Sequence, residues 1–285
     1  MGKMIVRHII RNAGRMALYS VLSISVVAVF SVVLFLQSLE YFVPENQPAQ
    51  TNVPQSLTTD TWGIFDPVTG LIVDGNNVSM KHPIASITKL FTAEATMKSG
   101  KKDNPFIIEY FDVSSEGRSG KLELGTYMTP AESLFPLLIE SSNDAGEAIR
   151  RHLDGDFESS VEETTKSLAL TNTVIVDATG LSPQNVSTVA DLSKYYVYLR
   201  KNYPHVIDIT QLHMYVGEHT GYINNDPARS FSNFTGGKHG YTEEAGRTFV
   251  GTFKVGESDL EIGIVLLHST DLSSDIKTIL TKNDR

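Results

Sequence analysis

The sequence predicts an α/β chain of the α+β kind, with an antiparallel sheet flanked by helices and one transmembrane helix ahead of it. Three observations carry that expectation. Apolar strand patterns occur near residues 61–75 and again at 246–269, with a long helical stretch between them, so the first hairpin and the last strands can share one sheet. Hydrophobic residues make up 41% of the 285, the level of a protein that buries a core. The uncharged run at 16–39 is dense in Val, Leu, Ile and Phe; as a helix it extends about 36 Å, longer than a hydrocarbon core of roughly 30 Å.

Lys3, Arg7, Arg11 and Arg15 precede that run, and no basic residue follows it closely. The asymmetry predicts a single-pass protein of the cell membrane, its N-terminus cytoplasmic and the remainder outside. A cleavable signal is the alternative. Against it, the run exceeds the ~7–15 residues of a signal's apolar region and ends in Gln37, Glu40, Tyr41 and Phe42 instead of a small-residue cleavage site. The absence of cysteine excludes a lipoprotein anchor and a disulfide framework. With a formal net charge of −9, and a basic N-terminus that leaves the remainder more acidic still, the outer part is a poor surface for nucleic acid or anionic lipid.

The expected organisation is a basic tail and anchor at 1–43, a flexible linker at 44–59 and a catalytic domain at 60–285. PENQPAQTNVPQSLTTD, rich in Pro, Gln, Asn and Thr, supplies the linker. TWGIFD and LIVDG flank the turn PVTG and form a hairpin. A helix is expected over 86–99, with Leu90, Phe91, Ala93 and Met97 on its apolar face and Gly100 at its end. Two more follow at 130–139 and 143–153, broken by Ser141 and Ser142; others are expected at 159–168, 189–200 and 274–280, and GRTFVGTFKV and LEIGIVLLHS return the chain to strands.

In PIASITKLFTAEA, Ser86 and Lys89 stand three positions apart, one face of a helix that starts at Ser86. A serine there meets free N–H groups and a favourable dipole, which suits a nucleophile with a lysine base. Alone, the pattern equally describes a capping serine and a solvated lysine. Ser141 and Asn143 then place a hydroxyl and an amide between two helices, and FTGGKHGYTEEAG adds Lys238 among glycines. Glycines at 236, 237 and 240 suit either a plain turn or a close-approaching ligand.

The ordered triple S-x-x-K, S-x-N, K-x-G, at spacings of roughly 55 and 95 residues, matches the signature of the penicillin-recognising serine enzymes. The chain resembles one branch of them, the serine D-alanyl-D-alanine carboxypeptidases of bacterial cell walls, through PIASITKL, LLIESSNDAGEAI, LTNTVIVDATGLSPQNVSTVADLSKY and GGKHGYTEEAG. The resemblance implies a β-lactamase/transpeptidase-like fold with an all-helical subdomain. It implies that Ser86 attacks the carbonyl between two D-alanines of a peptidoglycan stem peptide, with Lys89 as base and Lys238 as the cation that lowers its pKa. By the same resemblance Ser141 relays the proton, Asn143 holds Lys89, and the N–H groups of Ser86 and Tyr241 form the oxyanion hole. The strand from Gly237 to Tyr241 pairs with substrate, Gly237, His239, Gly240, Tyr241 and Thr242 forming its binding side. β-Lactam antibiotics are the implied acylating inhibitors. No cofactor is implied.

The sequence departs from the family at His239, where a hydroxyl donor, Thr or Ser, is usual, and it lacks the family's arginine beyond the last strand. His239 is expected to replace the hydroxyl at the substrate carboxylate; weakened activity is the alternative. Arg247 is expected to be an exposed strand residue. His219-Thr220-Gly221 imitates a variant third motif without the YTEEAG run. No H-E-x-x-H spacing marks a metal, and Ser86 does not lie in G-x-S-x-G. A β-lactamase of the same fold would need an activating glutamate where VDATGLSPQN offers only Asp177. A peptidoglycan-binding protein without catalysis is the rival that His239 favours.

Overall fold

The computed structural model describes residues 56–114, 122–217, 220–256 and 260–283. The basic tail, the expected membrane span and most of the linker lie outside them. Among the described residues no helix is long and apolar enough to cross a membrane.

Five antiparallel strands form the sheet in the order β2-β1-β11-β10-β9, with β1 at Thr61–Phe65, β2 at Ile72–Asn76, β9 at Phe234–Thr242, β10 at Gly246–Lys254 and β11 at Glu261–Ser269. The first hairpin and the last strands thus share one sheet, and β9 lies on its edge. Period-2 alternation explains its burial on two sides. Phe249, Phe253, Ile264 and Leu266 pack against Leu272, Ile276 and Ile279 of the closing helix, whereas Val250, Val265 and Leu267 face the large helical core.

Short two-stranded pairs complete the β structure: His82–Pro83 (β3) with Val186–Ser187 (β6), Phe106–Ile107 (β4) with Tyr127–Met128 (β5), and Met214–Val216 (β7) with Gly221–Ile223 (β8). Helices occupy Lys89–Lys98 (α1), Pro130–Phe135 (α2), Asn143–Leu153 (α3), Asp156–Ser167 (α4), Val189–Asn202 (α5), Pro204–Gln211 (α6) and Leu272–Asn283 (α7). Leu90 and Phe91 of α1, Leu192, Tyr195 and Tyr196 of α5 and Ile207 of α6 all belong to the helical core.

The structure refines two expectations near the site. A single helix from Ser86 is replaced by a 3-10 turn, Ala85–Thr88, that leads into α1. Ala85, at φ 47°, is left-handed, so the chain enters the helix through a tight turn with Ser86 on it. The second helical pattern starts as drawn, with Thr129 Oγ1 accepting from Glu132 N (3.1 Å) and Glu132 Oε2 from Thr129 N (2.7 Å). It then widens into a π-type turn at Pro136–Glu140, where proline supplies no N–H to the ladder. Ser141 follows at φ 63°, and Ser142 caps α3 by accepting from Ala145 N at 3.0 Å. The break between the two helices is therefore a built corner.

Candidate active site

The 3-10 turn, the corner before α3 and the edge strand β9 converge on one point. Lys89, the first residue of α1, is 0% exposed. Its Nζ donates to Ser86 Oγ at 3.1 Å, to Asn143 Oδ1 at 2.7 Å and to the Thr179 carbonyl at 2.6 Å. The ammonium of an ordinary lysine, pKa about 10.4, is neutral in about one molecule in 2,500 at pH 7. Here burial first, and the nearby charge of Lys238 second, hold Lys89 well below that range, against the opposing pull of Asp177 and Glu147. A hydroxyl held 3.1 Å from a lysine whose pKa is lowered can serve as a nucleophile with its base once Nζ has given up the proton it directs at Oγ.

Lys238 lies on β9, 1% exposed, its Nζ donating to the His239 carbonyl at 2.9 Å. It pairs across the sheet with Val250, which belongs to the helical core, and His239 pairs with Phe249, which belongs to the core beneath α7. Strand alternation thus sends the two neighbouring side chains to different partners. Gly240 runs against the backbone of Ser86: a Cβ there would lie 2.5 Å from Ser86 N. Only glycine lets the strand come this close.

Two donors show which way the edge of β9 faces. Gly237 N donates to Thr210 Oγ1 at 3.0 Å and His239 N to Asp226 Oδ2 at 3.0 Å, so alternate N–H groups point off the sheet. The same alternation turns Tyr241 N off the edge, beside Gly240 and Ser86. This corrects the expected pairing surface: the edge at Gly237 and His239 is occupied by Thr210 and Asp226, and the stretch from Tyr241 onward is what a peptide strand could meet. Thr242, expected on the binding side, has its Oγ1 accepting from Ala245 N at 3.1 Å, which fixes the β9–β10 turn. Gly221 opens the small β8, which pairs with β7, whereas Gly240 of Lys238-His239-Gly240 lies beside Ser86. Arg247 is exposed, its guanidinium carbon 5.3 Å from the Tyr241 ring centroid.

Ser141 is 7% exposed, on the left-handed turn two residues before Asn143. Asn143 thereby reaches Lys89 from the helical half while β9 closes from the sheet.

Sequence reasoning missed the groups that hold this cluster. Asp177 accepts from Thr179 N (2.7 Å), Thr179 Oγ1 (2.9 Å) and Gly180 N (2.6 Å) through Oδ1, and from Ser182 N (2.8 Å) and Asn185 Nδ2 (2.8 Å) through Oδ2. Burial pushes this carboxyl up, but the N–H groups of Gly180, Ser182 and Thr179 outweigh it and leave its pKa lowered. The loop so organised presents the Thr179 carbonyl to Lys89. It also presses Gly180, at φ +89°, onto the Ala85 carbonyl, where a Cβ would overlap it. The signal was an aspartate two residues ahead of Thr-Gly, an Asx-turn pattern. His239 Nδ1 lies 3.2 Å from Asp226 Oδ2, an acceptor marked in sequence only by the turn-forming Asp226-Pro227. Among the described residues no group of three or more His, Cys, Asp or Glu is placed to hold a metal ion.

Known proteins share this arrangement of chain. The family model described as D-alanyl-D-alanine carboxypeptidase matches residues 47–270. A D-alanyl-D-alanine endopeptidase of Pseudomonas aeruginosa is 30% identical over 181 residues, covering 61% of this chain and 58% of that protein. The D-alanyl-D-alanine carboxypeptidase DacB2 of Mycobacterium tuberculosis is 25% identical over 229 residues, 77% and 78% of the two chains. This chain spans less than two thirds of the Pseudomonas and Escherichia coli endopeptidases, 58% and 60%. In fold it is similar to the D-alanyl-D-alanine carboxypeptidase structure from Mycobacterium tuberculosis H37Rv, with TM-score 0.72 at 22% identity over 82% of this chain and 94% of that one. Penicillin-binding protein D2 of Listeria monocytogenes, solved in its cefotaxime-bound form, gives 0.70 at 22% identity over 80% and 98%. The chain belongs to the D-alanyl-D-alanine carboxypeptidase family.

Proposed function

We propose that the chain is a serine peptidase that removes the terminal D-alanine from peptidoglycan stem peptides through an acyl-enzyme on Ser86. The observation that carries this reading is the buried, pKa-depressed Lys89 with its Nζ 3.1 Å from Ser86 Oγ. Ser86 Oγ bonds to the carbonyl carbon of the penultimate D-alanine while its proton passes to Lys89. The C–N bond then breaks, Ser141 relays a proton to the leaving amine, and water hydrolyses the ester. Asn143 holds Lys89 and the substrate amide, and burial, with Lys238 second, lowers the pKa of the base. The N–H groups of Ser86 and Tyr241 receive the developing oxyanion, and losing one such donor costs on the order of 10²-fold in rate. Gly237 and Gly240 keep β9 close, Tyr241 and Thr242 border the peptide, and His239 meets the terminal carboxylate. β-Lactams acylate the same serine.

The remaining expectations join this reading: residues 1–43 anchor the chain in the cell membrane with its N-terminus cytoplasmic, 44–59 tether it, and 60–285 work outside. The likeness to D-alanyl-D-alanine endopeptidases of Pseudomonas aeruginosa, Escherichia coli and Haemophilus influenzae favours a second reading, in which the acyl-enzyme forms at an internal bond.

The test is to incubate the full-length chain in detergent with a fluorescent penicillin, denature it and look for label. A stable covalent adduct that disappears in Ser86→Ala is expected. Rapid release of hydrolysed drug would indicate a β-lactamase instead, and no adduct at all would indicate a binding protein. Free D-alanine from a stem peptide separates the first reading from the second, which releases larger fragments.

A further inference from the structure

An amine that takes a proton from Ser86 must aim its lone pair at Oγ. The three N–H bonds of the Lys89 ammonium meet three oxygens: Ser86 Oγ at 3.1 Å, Asn143 Oδ1 at 2.7 Å and the Thr179 carbonyl at 2.6 Å. When Nζ loses one proton, two N–H bonds remain for three partners. Asn143 Oδ1 and the Thr179 carbonyl only accept, whereas the hydroxyl of Ser86 can also donate. Two N–H bonds kept by the two acceptors leave the lone pair toward Oγ. The serine proton then passes to Nζ as Oγ attacks, and the ammonium with its three N–H bonds is restored.

One of those two acceptors is a backbone carbonyl, which holds its place only as well as its loop does. Asp177 organises that loop by accepting five hydrogen bonds, from Thr179 N and Oγ1, Gly180 N, Ser182 N and Asn185 Nδ2. The loop is pinned on either side of Thr179: Thr92 Oγ1 of α1 donates to the Ala178 carbonyl at 2.7 Å, and Gly180 abuts Ala85. Gly146 of α3 packs on the same Ala178 carbonyl, where a Cβ would lie at 3.1 Å, so the helix that carries Asn143 is set against the loop as well. We propose that Asp177 is a positioning residue for the base: by fixing the Thr179 carbonyl it aims the lone pair of Lys89 at Ser86 Oγ. This role rests on the peptidase reading, since Lys89 needs aim only if it takes the serine's proton.

Asp177 also acts by charge, in the direction opposite to Lys238. Its carboxylate and that of Glu147 on α3 favour the ammonium, and Lys238 on β9 disfavours it. Elements packed against α1 carry further ionisable groups: Glu132 on α2, Glu140 on the π-type turn, Asp144 on α3, Glu163 on α4, and His205 and Asp208 on α6. All of them stay in place when Asp177 alone is changed, and Glu147 still pulls on the ammonium. Removing Asp177 therefore leaves two signatures. The neutral amine is aimed less well, so acylation is slower at every pH where the amine is neutral; and the ammonium loses a partner charge, so it gives up its proton at lower pH. Damage to packing alone produces the first without the second.

The experiment measures the rate constant for labelling of the full-length chain in detergent by a fluorescent penicillin from pH 5 to 10, the amount labelled at long times counting the folded molecules. For Asp177→Ala the plateau rate per folded molecule is expected to fall at least roughly tenfold. The half-point of its profile should move to lower pH by about one unit, a tenfold change in the Lys89 equilibrium and the scale of one hydrogen bond to a charged group. Asp177→Asn keeps an Oδ1 for the Thr179 and Gly180 N–H groups but loses the charge, so it should lose less plateau rate and show a shift of the same sign. A half-point that stays put in both variants, or moves to higher pH, overturns the proposal, as does an unchanged plateau in Asp177→Ala. Carbon-13 shifts of Lys89 Cε, followed against pH in the wild type and in Asp177→Asn, read the proton on Nζ without any turnover. A lower midpoint in the variant supports the proposal, and an equal or higher one overturns it. Failure of penicillin to label the wild type at any pH would count against the peptidase reading itself.

Discussion

At Lys89 two effects of opposite sign meet, and their balance makes a pH prediction. Burial first and Lys238 second favour the neutral amine; Asp177 and Glu147 favour the ammonium; the net direction is downward. Acylation should therefore rise with pH as Lys89 loses its proton, at a lower pH than a free lysine would require. Lys238→Gln removes the second cause and leaves burial, so the half-point of the acylation profile should move to higher pH, with at least a several-fold loss of labelling rate at pH 7. Rates of labelling by a fluorescent penicillin, measured from pH 5 to 10, give the half-point. A variant that loses rate equally at every pH would mean that Lys238 binds ligand without tuning the base. Ser86, Lys89, Asn143 and Lys238 were legible in the sequence because their side chains do the work at fixed spacing. Thr179 was not, because it contributes a backbone carbonyl, which every residue possesses. Asp226 and Asp177 were hidden for a related reason: each acts by accepting backbone N–H groups of a loop, and turn aspartates are too common to single out.

At the scale of elements, β10 and β11 were readable as apolar runs because each is buried on both sides, whereas β9 has three glycines in place of such a run. The helix α6, PHVIDITQ, escaped detection: it is eight residues long and β-branched, and only tertiary packing of Ile207 and Ile209 makes it worthwhile. The corner before α3 supplies a stability prediction. Asp144 lies in the first turn of α3, where the helix dipole favours a negative charge by about 0.3–1 kcal/mol, yet it is 1% exposed and its Oδ1 has no partner among the described residues. Burial, then the charge of Asp112, push its carboxyl from 3.8 to about 6. Burial outweighs the dipole. Because the folded carboxyl holds its proton more tightly than the unfolded one, this group's contribution falls as pH rises from about 4 to 6 and stays unfavourable above that. Asp144→Asn should therefore stabilise the protein at pH 7.5 by about 1–2 kcal/mol, raising Tm by a few degrees, and the gain should vanish near pH 4. Thermal melts at both values check this; an equal effect at both would assign it to packing.

For the whole molecule, the site lies where the helical half meets the edge of the sheet: Ser86 and Lys89 come from the junction of a 3-10 turn and a helix, Asn143 from a helical corner and Lys238 from the edge strand. None of these elements holds the cluster alone, so the placement of Ser86 beside Lys89 depends on the intact domain. On the proposed organisation, what the domain can reach depends in turn on the first 59 residues. If residues 44–59 act as the proposed tether, their 16 residues can reach at most about 55 Å when fully stretched. An anchored chain would therefore confine its chemistry to substrate within a few nanometres of the membrane. Charge provides the discriminating test. Four basic residues at the N-terminus could also hold a peripheral protein on anionic lipid, an attraction that salt screens within about 10 Å at 0.1 M, whereas a span of apolar residues is indifferent to salt. The full-length chain should pellet with membranes and stay there through 1 M salt and alkaline carbonate, and protease added outside should release a fragment that still labels with penicillin. Release by salt alone would make the N-terminus a surface contact; a pellet whose penicillin-binding part resists outside protease would place the domain on the wrong side for the proposed substrate.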